Sequence, residues 1–168
     1  NVAGQKAEKF ARDNQGDAGP AVEEEVKREK DIYQRVLNMK GPENPFKLGV
    51  ELGEWMNNNV TVIRENEKLK ETDKKILELM DRYKNVGLPD NSPWANQSVF
   101  FTRHLWNMLV LARPITIGAL LRDESRGSNY KPAFPERDDE KFLKRTIAKD
   151  TPKGAEFSWE EVDTQSVK

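Results

Sequence analysis

The run QSVFFTRHLWNMLVLARPITIGALLRDESRG, residues 97–127, decides the fold. Apolar side chains occupy nearly every face of it, from Val99, Phe100 and Phe101 to Ile117, Leu120 and Leu121. A helix that is apolar all round must be surrounded. The run therefore predicts a central helix over about 97–125, with other helices laid against it and part of its surface left for protein outside the bundle. Pro114 removes one backbone donor inside it and predicts a kink one turn upstream, near Val110. Charges then take over at Arg122, Asp123, Glu124 and Arg126. On a helix Arg122 and Arg126 would share one face, cations suit a helix C-terminus, and Gly127 suits the left-handed residue that closes it. A helix stop leaves Glu124 and Ser125 without a reason. An arginine fork is also a device for pinning an extended segment through carboxylates, and Arg137-Asp138-Asp139 supply them downstream.

Upstream, Leu69, Ile76 and Tyr83 alternate with Thr72, Leu79 and Val86 in a seven-residue repeat, the spacing of helices packed side by side. Gly87-Leu88-Pro89 closes that run. An earlier run begins near Pro45 and carries Leu48, Leu52, Trp55, Met56 and Ile63, weakened at Asn57-Asn58-Asn59. Before it, Val22, Val26, Tyr33 and Val36 mark a helix from Pro20, a residue suited to the first turn, to the stop at Gly41-Pro42. Residues 1–12 read as a short helix with small residues on one side, followed by a turn-rich linker. Beyond Ser128, Pro132 and Pro135 enforce extended backbone. Residues 138–146 predict a helical segment and 156–162 one strand without a partner, which is not stable alone in water. The fold class is all-α, a spectrin-repeat-like three-helix bundle with a long, mostly irregular C-terminal tail containing one short strand. Its parts are a preceding helix and linker over 1–17, the bundle over 18–127 and the tail over 128–168.

The 168 residues suit one domain with a tail. A net charge of -1 and the lack of a basic stripe argue against a nucleic-acid partner. The absence of cysteine excludes disulfides, thiolate metal sites and cysteine nucleophiles, and fits a reducing compartment. His104 is the only histidine, and no serine, cysteine or ligand constellation surrounds it. Adjacent acids such as Asp138-Asp139 do not share a helical face for acid–base work. Neither a dinucleotide fingerprint nor a phosphate loop is present. The first residues lack the apolar run of a secretion signal, and Asn107, Arg113 and Pro114 interrupt the longest apolar window. The chain opens on Asn1 rather than methionine, which suggests a piece of a longer protein.

Arg122-x-Glu124-Ser125-Arg126-Gly127, Tyr130, Phe134-Pro135-x-Arg137-Asp138-Asp139 and Phe142-Leu143-Lys144 resemble the C-terminal region of the succinate dehydrogenase/fumarate reductase flavoproteins. L-Aspartate oxidase shares the superfamily. Asn44-Pro45-Phe46-Lys47-Leu48, Glu51-Leu52-Gly53-Glu54-Trp55-Met56, Leu111-Ala112-Arg113 and Phe157-Ser158-x-Glu160-x-Val162-Asp163 are similar to the succinate dehydrogenase flavoproteins of Gram-positive bacteria. The likeness spans about residues 18–168. It departs at Ser128-Asn129, where Ala-His is usual, at Ala133, where an acid is common, and at Pro114.

This resemblance implies a fragment. Residues 1–17 would be the remnant of a flavin-domain helix and its linker, which accounts for the missing neighbour of that helix. The whole enzyme would oxidise succinate to fumarate and send electrons through FAD and an iron–sulfur subunit to quinone. It would sit in the cytoplasm, peripheral on the inner face of the cell membrane, with a membrane-anchor cytochrome b subunit. The fragment itself is expected to have no catalytic, cofactor-binding or metal residues, and to pack on its own flavin-binding and capping domains. Arg122, Glu124, Ser125, Arg126, Gly127, Arg137, Asp138 and Asp139 are expected to anchor the tail and that interface. An exposed docking face could also pair two copies of the fragment in a dimer without physiological meaning. The competing readings are fumarate reductase, L-aspartate oxidase and a free-standing helical interaction module.

Overall fold

The computed structural model of the protein describes residues 2–14, 16, 19–151 and 154–164. Its backbone divides into two units, Asn1–Asn38 and Met39–Lys168. The first holds α1 (Val2–Asp13) and α2 (Gly19–Leu37). α1 buries none of its residues, and Val2 and Phe10 are exposed. On α2 the predicted apolar face is exposed at Val22 and Val26. The expected boundary at 17/18 lies outside the described residues.

In the second unit, α3 (Pro45–Asn59), α4 (Asn66–Tyr83) and α5 (Gln97–Leu120) make the bundle. Asn44 caps α3, its side-chain oxygen accepting from the N–H groups of Phe46 (2.9 Å) and Lys47 (3.3 Å), and Pro45 fills the first helical position, where its missing donor costs nothing. The Asn57–Asn59 triplet is the last turn of α3, so Ile63 falls beyond the helix and is exposed. On α4 the seven-residue repeat is the buried face: Leu69, Thr72, Ile76, Leu79 and Tyr83 all point inward. Leu48 and Leu52 from α3 and Leu105, Leu109 and Ala112 from α5 complete one core with Ile76, Leu79 and Tyr83. Each such large apolar side chain contributes about 1.5–3 kcal/mol on burial. A second, smaller cluster of Val60, Leu69 and Ala119 lies at the far end of α5. The Tyr83 hydroxyl donates to the carbonyl of Thr102 at 3.0 Å, tying α4 to α5.

Polar contacts lock the helix register outside the core. The Arg82 guanidinium spans Glu43 (2.8 Å) and Glu51 (2.8 Å), and Arg113 on α5 reaches Asp73 on α4 at 2.9 Å. The segment before α3 crosses the end of α4 so closely that a Cβ on Gly41 would sit 1.8 Å from the Asn85 carbonyl oxygen. Only glycine fits there.

α5 runs without interruption through Pro114. It buries Val99, Thr102, Leu105, Leu109, Ala112, Thr116 and Ala119, at spacings of three and four, and leaves Phe100, Met108, Leu111 and Ile115 exposed along the opposite side. The all-round apolar pattern is therefore only half consumed by the bundle. The helix stops at Leu120, five residues before the expected end. Partners from the tail take the groups that would have extended it: the Lys131 ammonium donates to the Leu120 carbonyl at 3.2 Å, and the Ser125 N–H donates to the Glu136 carbonyl at 3.1 Å.

The tail is more ordered than its sequence suggests. α6 covers only Asp139–Phe142, and the residues after it form β1 (Lys144–Lys149) instead of continuing the helix. β1 pairs antiparallel with β2 (Glu156–Glu161), in register from Lys144 opposite Glu161 to Lys149 opposite Glu156. The expected lone strand thus has its partner a few residues upstream. A bare hairpin is marginal in water, and this one is docked. β1 lies against α5, and Thr146 and Phe157 lie over Gly118, where an added Cβ would be 4.0 Å from each.

Candidate functional site

Glu124 is fully buried, with 0% of its surface exposed. A lone carboxylate there would be costly, and the surrounding chain supplies donors to both of its oxygens. Arg122 donates to Oε1 from Nε (3.1 Å) and Nη2 (2.5 Å). Arg126 donates from Nε to Oε1 (3.0 Å) and from Nη2 to Oε2 (2.9 Å). The Asp138 N–H, arriving from the tail, donates to Oε2 at 3.1 Å. Burial pushes the Glu124 carboxyl upward, but the hydrogen bonds from Arg126, Arg122 and Asp138 outweigh it and hold the group below the usual carboxylate value.

Each arginine has a second task. Arg122 also donates to the carbonyls of Phe142 (2.5 Å) and Lys144 (2.8 Å) and to the Thr146 hydroxyl (3.2 Å). Its guanidinium lies over the rings of Phe142 and Trp159, 5.6 and 5.4 Å from their centroids. It holds α6 and both strands of the hairpin at once. Arg126 reaches Asp139 at 2.6 Å, and Arg137 closes on the same carboxylate at 2.6 Å. The hydrogen bond from Arg126 is the main reason Asp139 lies below its ordinary value. Asp138 caps α6 by accepting from the Lys141 N–H at 3.0 Å. Ser125 accepts from the Lys131 N–H (3.0 Å) and donates to the Phe134 carbonyl (2.7 Å).

All eight residues singled out in the sequence thus fall in one neighbourhood. Arg122 and Arg126 lie in a loop beyond α5, and they converge because the chain folds back around Glu124 rather than because they share a helical face. Gly127 does take the left-handed region, at φ 58°, but it serves a hairpin turn and not a helix end. Arg126 and Asn129 exchange both backbone hydrogen bonds (2.8 and 3.0 Å) across Gly127-Ser128, a two-residue turn that favours glycine first.

Five further residues belong to this neighbourhood: Lys131, Asn66, Asp123, Asn129 and Arg64. Lys131, 1% exposed, donates from its ammonium to Asn66 (2.7 Å), Asp123 (3.0 Å) and the Leu120 carbonyl. Burial pushes this lysine below its ordinary value, opposed by Asp123. Asn129 donates to the Glu124 carbonyl at 2.8 Å and accepts from Arg64 at 2.7 Å. Nothing in the sequence around Lys131 or Arg64 marks them, because a buried cation carries no periodic signature. Asn129 was visible only as a departure from the family pattern.

Arg122 donates from Nε, Nη1 and Nη2, and Arg126 from Nε and Nη2, to acceptors of their own chain, an arrangement that does not fit a cradle for a flavin or its phosphates. Among the described residues no group of three or more His, Cys, Asp or Glu gathers to hold a metal ion, and none of their helices is long and apolar enough to cross a membrane. The arrangement fastens the loop after α5 to the tail.

Such a bundle, with its last helix feeding an arm clipped back by a buried carboxylate, is a helical domain with a docked C-terminal arm. Residues 50–168 match the family model described as "Fumarate reductase flavoprotein C-term", and the chain belongs to that family. It is 44% identical over 99% of its length to the succinate dehydrogenase flavoprotein subunit of Bacillus subtilis, of which it covers 29%. It is 38% identical over 76% of its length to a fumarate reductase flavoprotein subunit of Helicobacter pylori, covering 18% of that protein. Its backbone is similar to that of an E. coli quinol fumarate reductase chain, with a TM-score of 0.86 and 28% identity, over 98% of this chain and 28% of that one. The chain therefore spans less than a third of the length of these relatives.

Proposed function

We propose that this chain is the C-terminal helical domain of a succinate dehydrogenase flavoprotein subunit. The complete enzyme oxidises succinate to fumarate, using FAD held elsewhere in the subunit. An iron–sulfur subunit and a membrane-anchor cytochrome b subunit carry the electrons on to quinone at the inner face of the cell membrane. The identity of 44% along 99% of the chain to the Bacillus subtilis dehydrogenase subunit carries this reading. Fumarate reductase, the reverse direction of the same chemistry, is the second reading, supported by the TM-score of 0.86 to the E. coli structure.

The contribution of this domain is mechanical. Arg122, Glu124 and Arg126 hold the tail, and the exposed side of α5 offers Phe100, Met108, Leu111 and Ile115 to the flavin-bearing part of the subunit. The test is succinate-dependent dye reduction by two proteins, the purified 168-residue chain and a longer flavoprotein polypeptide carrying it. The longer protein is expected to bind flavin and reduce the dye, and the 168-residue chain to do neither. Flavin absorbance or dye reduction by the short chain would refute the assignment.

A further inference from the structure

Arg64 is half-buried, yet no carboxylate among the described residues lies within ion-pair distance of it. Its Nε donates to the carbonyls of Val60 (3.1 Å) and Thr61 (2.8 Å), and Nη1 donates to the Asn129 side chain (2.7 Å). The neighbouring acids are committed elsewhere: Glu65 to Lys68 at 2.9 Å and Asp123 to Lys131 at 3.0 Å. Burial pushes the guanidinium below its usual value with no charge partner to offset it. This differs from Arg82, Arg122 and Arg126, each of which faces at least one carboxylate. A partly desolvated cation without a counter-charge costs stability in the free chain, and an incoming anion would recover it.

Exposed apolar residues lie beside Arg64. The Arg64 N–H donates to the Tyr130 carbonyl at 2.8 Å and the Tyr130 N–H to the Val62 carbonyl at 3.0 Å. This bridge sets Val62, Ile63 and Tyr130 side by side, 55%, 59% and 43% exposed. An arginine flanked along the chain and across this bridge by exposed aliphatic residues and a tyrosine has the make-up of an interface anchor.

We propose that Arg64 and the Val62, Ile63 and Tyr130 face receive an acidic segment of the flavin-bearing part of the same polypeptide, one carboxylate of which closes on the Arg64 guanidinium. This rests on the reading above, that the chain is one domain of a larger flavoprotein. The match covers 29% of the Bacillus subtilis relative, so 71% (100 − 29) of such a polypeptide is available to cover the face. Charge complementarity selects an acidic segment over an apolar or basic one.

The experiment uses the full-length flavoprotein polypeptide, with the photoreactive residue p-benzoylphenylalanine placed at Ile63 in one variant and at Leu111 on α5 in another. After illumination, cross-linked peptides are mapped by mass spectrometry. The inference expects the Ile63 probe to label a peptide outside this domain that contains Asp or Glu, and expects Arg64→Gln to abolish that label. Should Arg64→Gln disturb folding, neutralising the acid in the labelled peptide is expected to cause the same loss. Labelling of a second copy, of another subunit, of a peptide without an acid, or of no protein at all overturns the inference, as does a label indifferent to both substitutions. If the Leu111 probe reaches the flavin-bearing part while the Ile63 probe does not, only this inference fails. If neither reaches it, the reading of the chain as a docked domain fails with it.

Discussion

The backbone N–H of Asp138 donates to the buried Oε2 of Glu124 at 3.1 Å, joining residues 14 apart in the chain. One carboxylate thus terminates the bundle and starts the tail. The same group pairs with both Arg122 and Arg126, so the loop after α5, α6 and the hairpin converge on a single side chain.

Glu124→Ala leaves Arg122, Arg126 and the Asp138 N–H without their shared acceptor. Breaking a buried pair costs about 3–5 kcal/mol, and the lower end is expected because both arginines keep some access to water. Glu124→Gln keeps the shape and some hydrogen bonding, and is expected to cost about 2 kcal/mol. Urea unfolding of the purified chain measures both. A loss under about 1 kcal/mol for the alanine variant would contradict the assigned geometry.

Acid should loosen the tail through the same group. The unfolded chain takes up the Glu124 proton near pH 4.3, whereas the folded one resists until its lowered value is reached. Stability from this carboxylate is therefore complete above that pH and drains away as the pH falls through the native value. Stability measured against pH should fall less steeply below pH ~4 in Glu124→Gln than in the parent. Parallel curves would contradict the depressed native value.

Lys131 is buried but its partner Asp123 is half in water. Lys131→Met fills the same space and leaves Asp123 hydrated, so a change within about 1.5 kcal/mol is expected. Lys131→Ala opens a cavity and should cost about 2–4 kcal/mol. Equal losses in thermal unfolding would show that the ammonium, and not its stem, matters there.

Thr102 on α5 is fully buried, and its hydroxyl finds no hydrogen-bond partner among the described residues. Its carbonyl, which accepts from Tyr83, is untouched by a side-chain change. Thr102→Val removes the desolvated hydroxyl at nearly constant shape and should stabilise by about 1 kcal/mol. A loss of stability in urea unfolding would mean that the hydroxyl is satisfied.

The bundle was legible because its signal is local and repetitive. Leu69, Thr72, Ile76, Leu79 and Tyr83 recur at helical spacing and are the residues that α4 buries. The end of α5 was misread because Arg122, Arg126 and Gly127 are good helix-stop chemistry in isolation. What displaces them is long-range: the Ser125 N–H to the Glu136 carbonyl and Lys131 to Leu120. β1 was missed because Lys144–Lys149 alternates weakly, and its strand conformation depends on β2 and on the Arg122 anchor rather than on its own pattern. Arg122, Arg126 and the downstream Arg137-Asp138-Asp139 stand out by their types, but their arrangement around Glu124 follows from a fold-back that no spacing encodes.

Amide hydrogen exchange in Glu124→Gln, compared with the parent chain, tests most directly whether this one carboxylate holds the tail. The account predicts that the amides of Ser125, Asp138, Ile147 and Trp159 exchange more than about tenfold faster, while that of Ile76 in the α4 core is unchanged. Unaltered exchange at Ile147 and Trp159, or equal acceleration at Ile76, would contradict it.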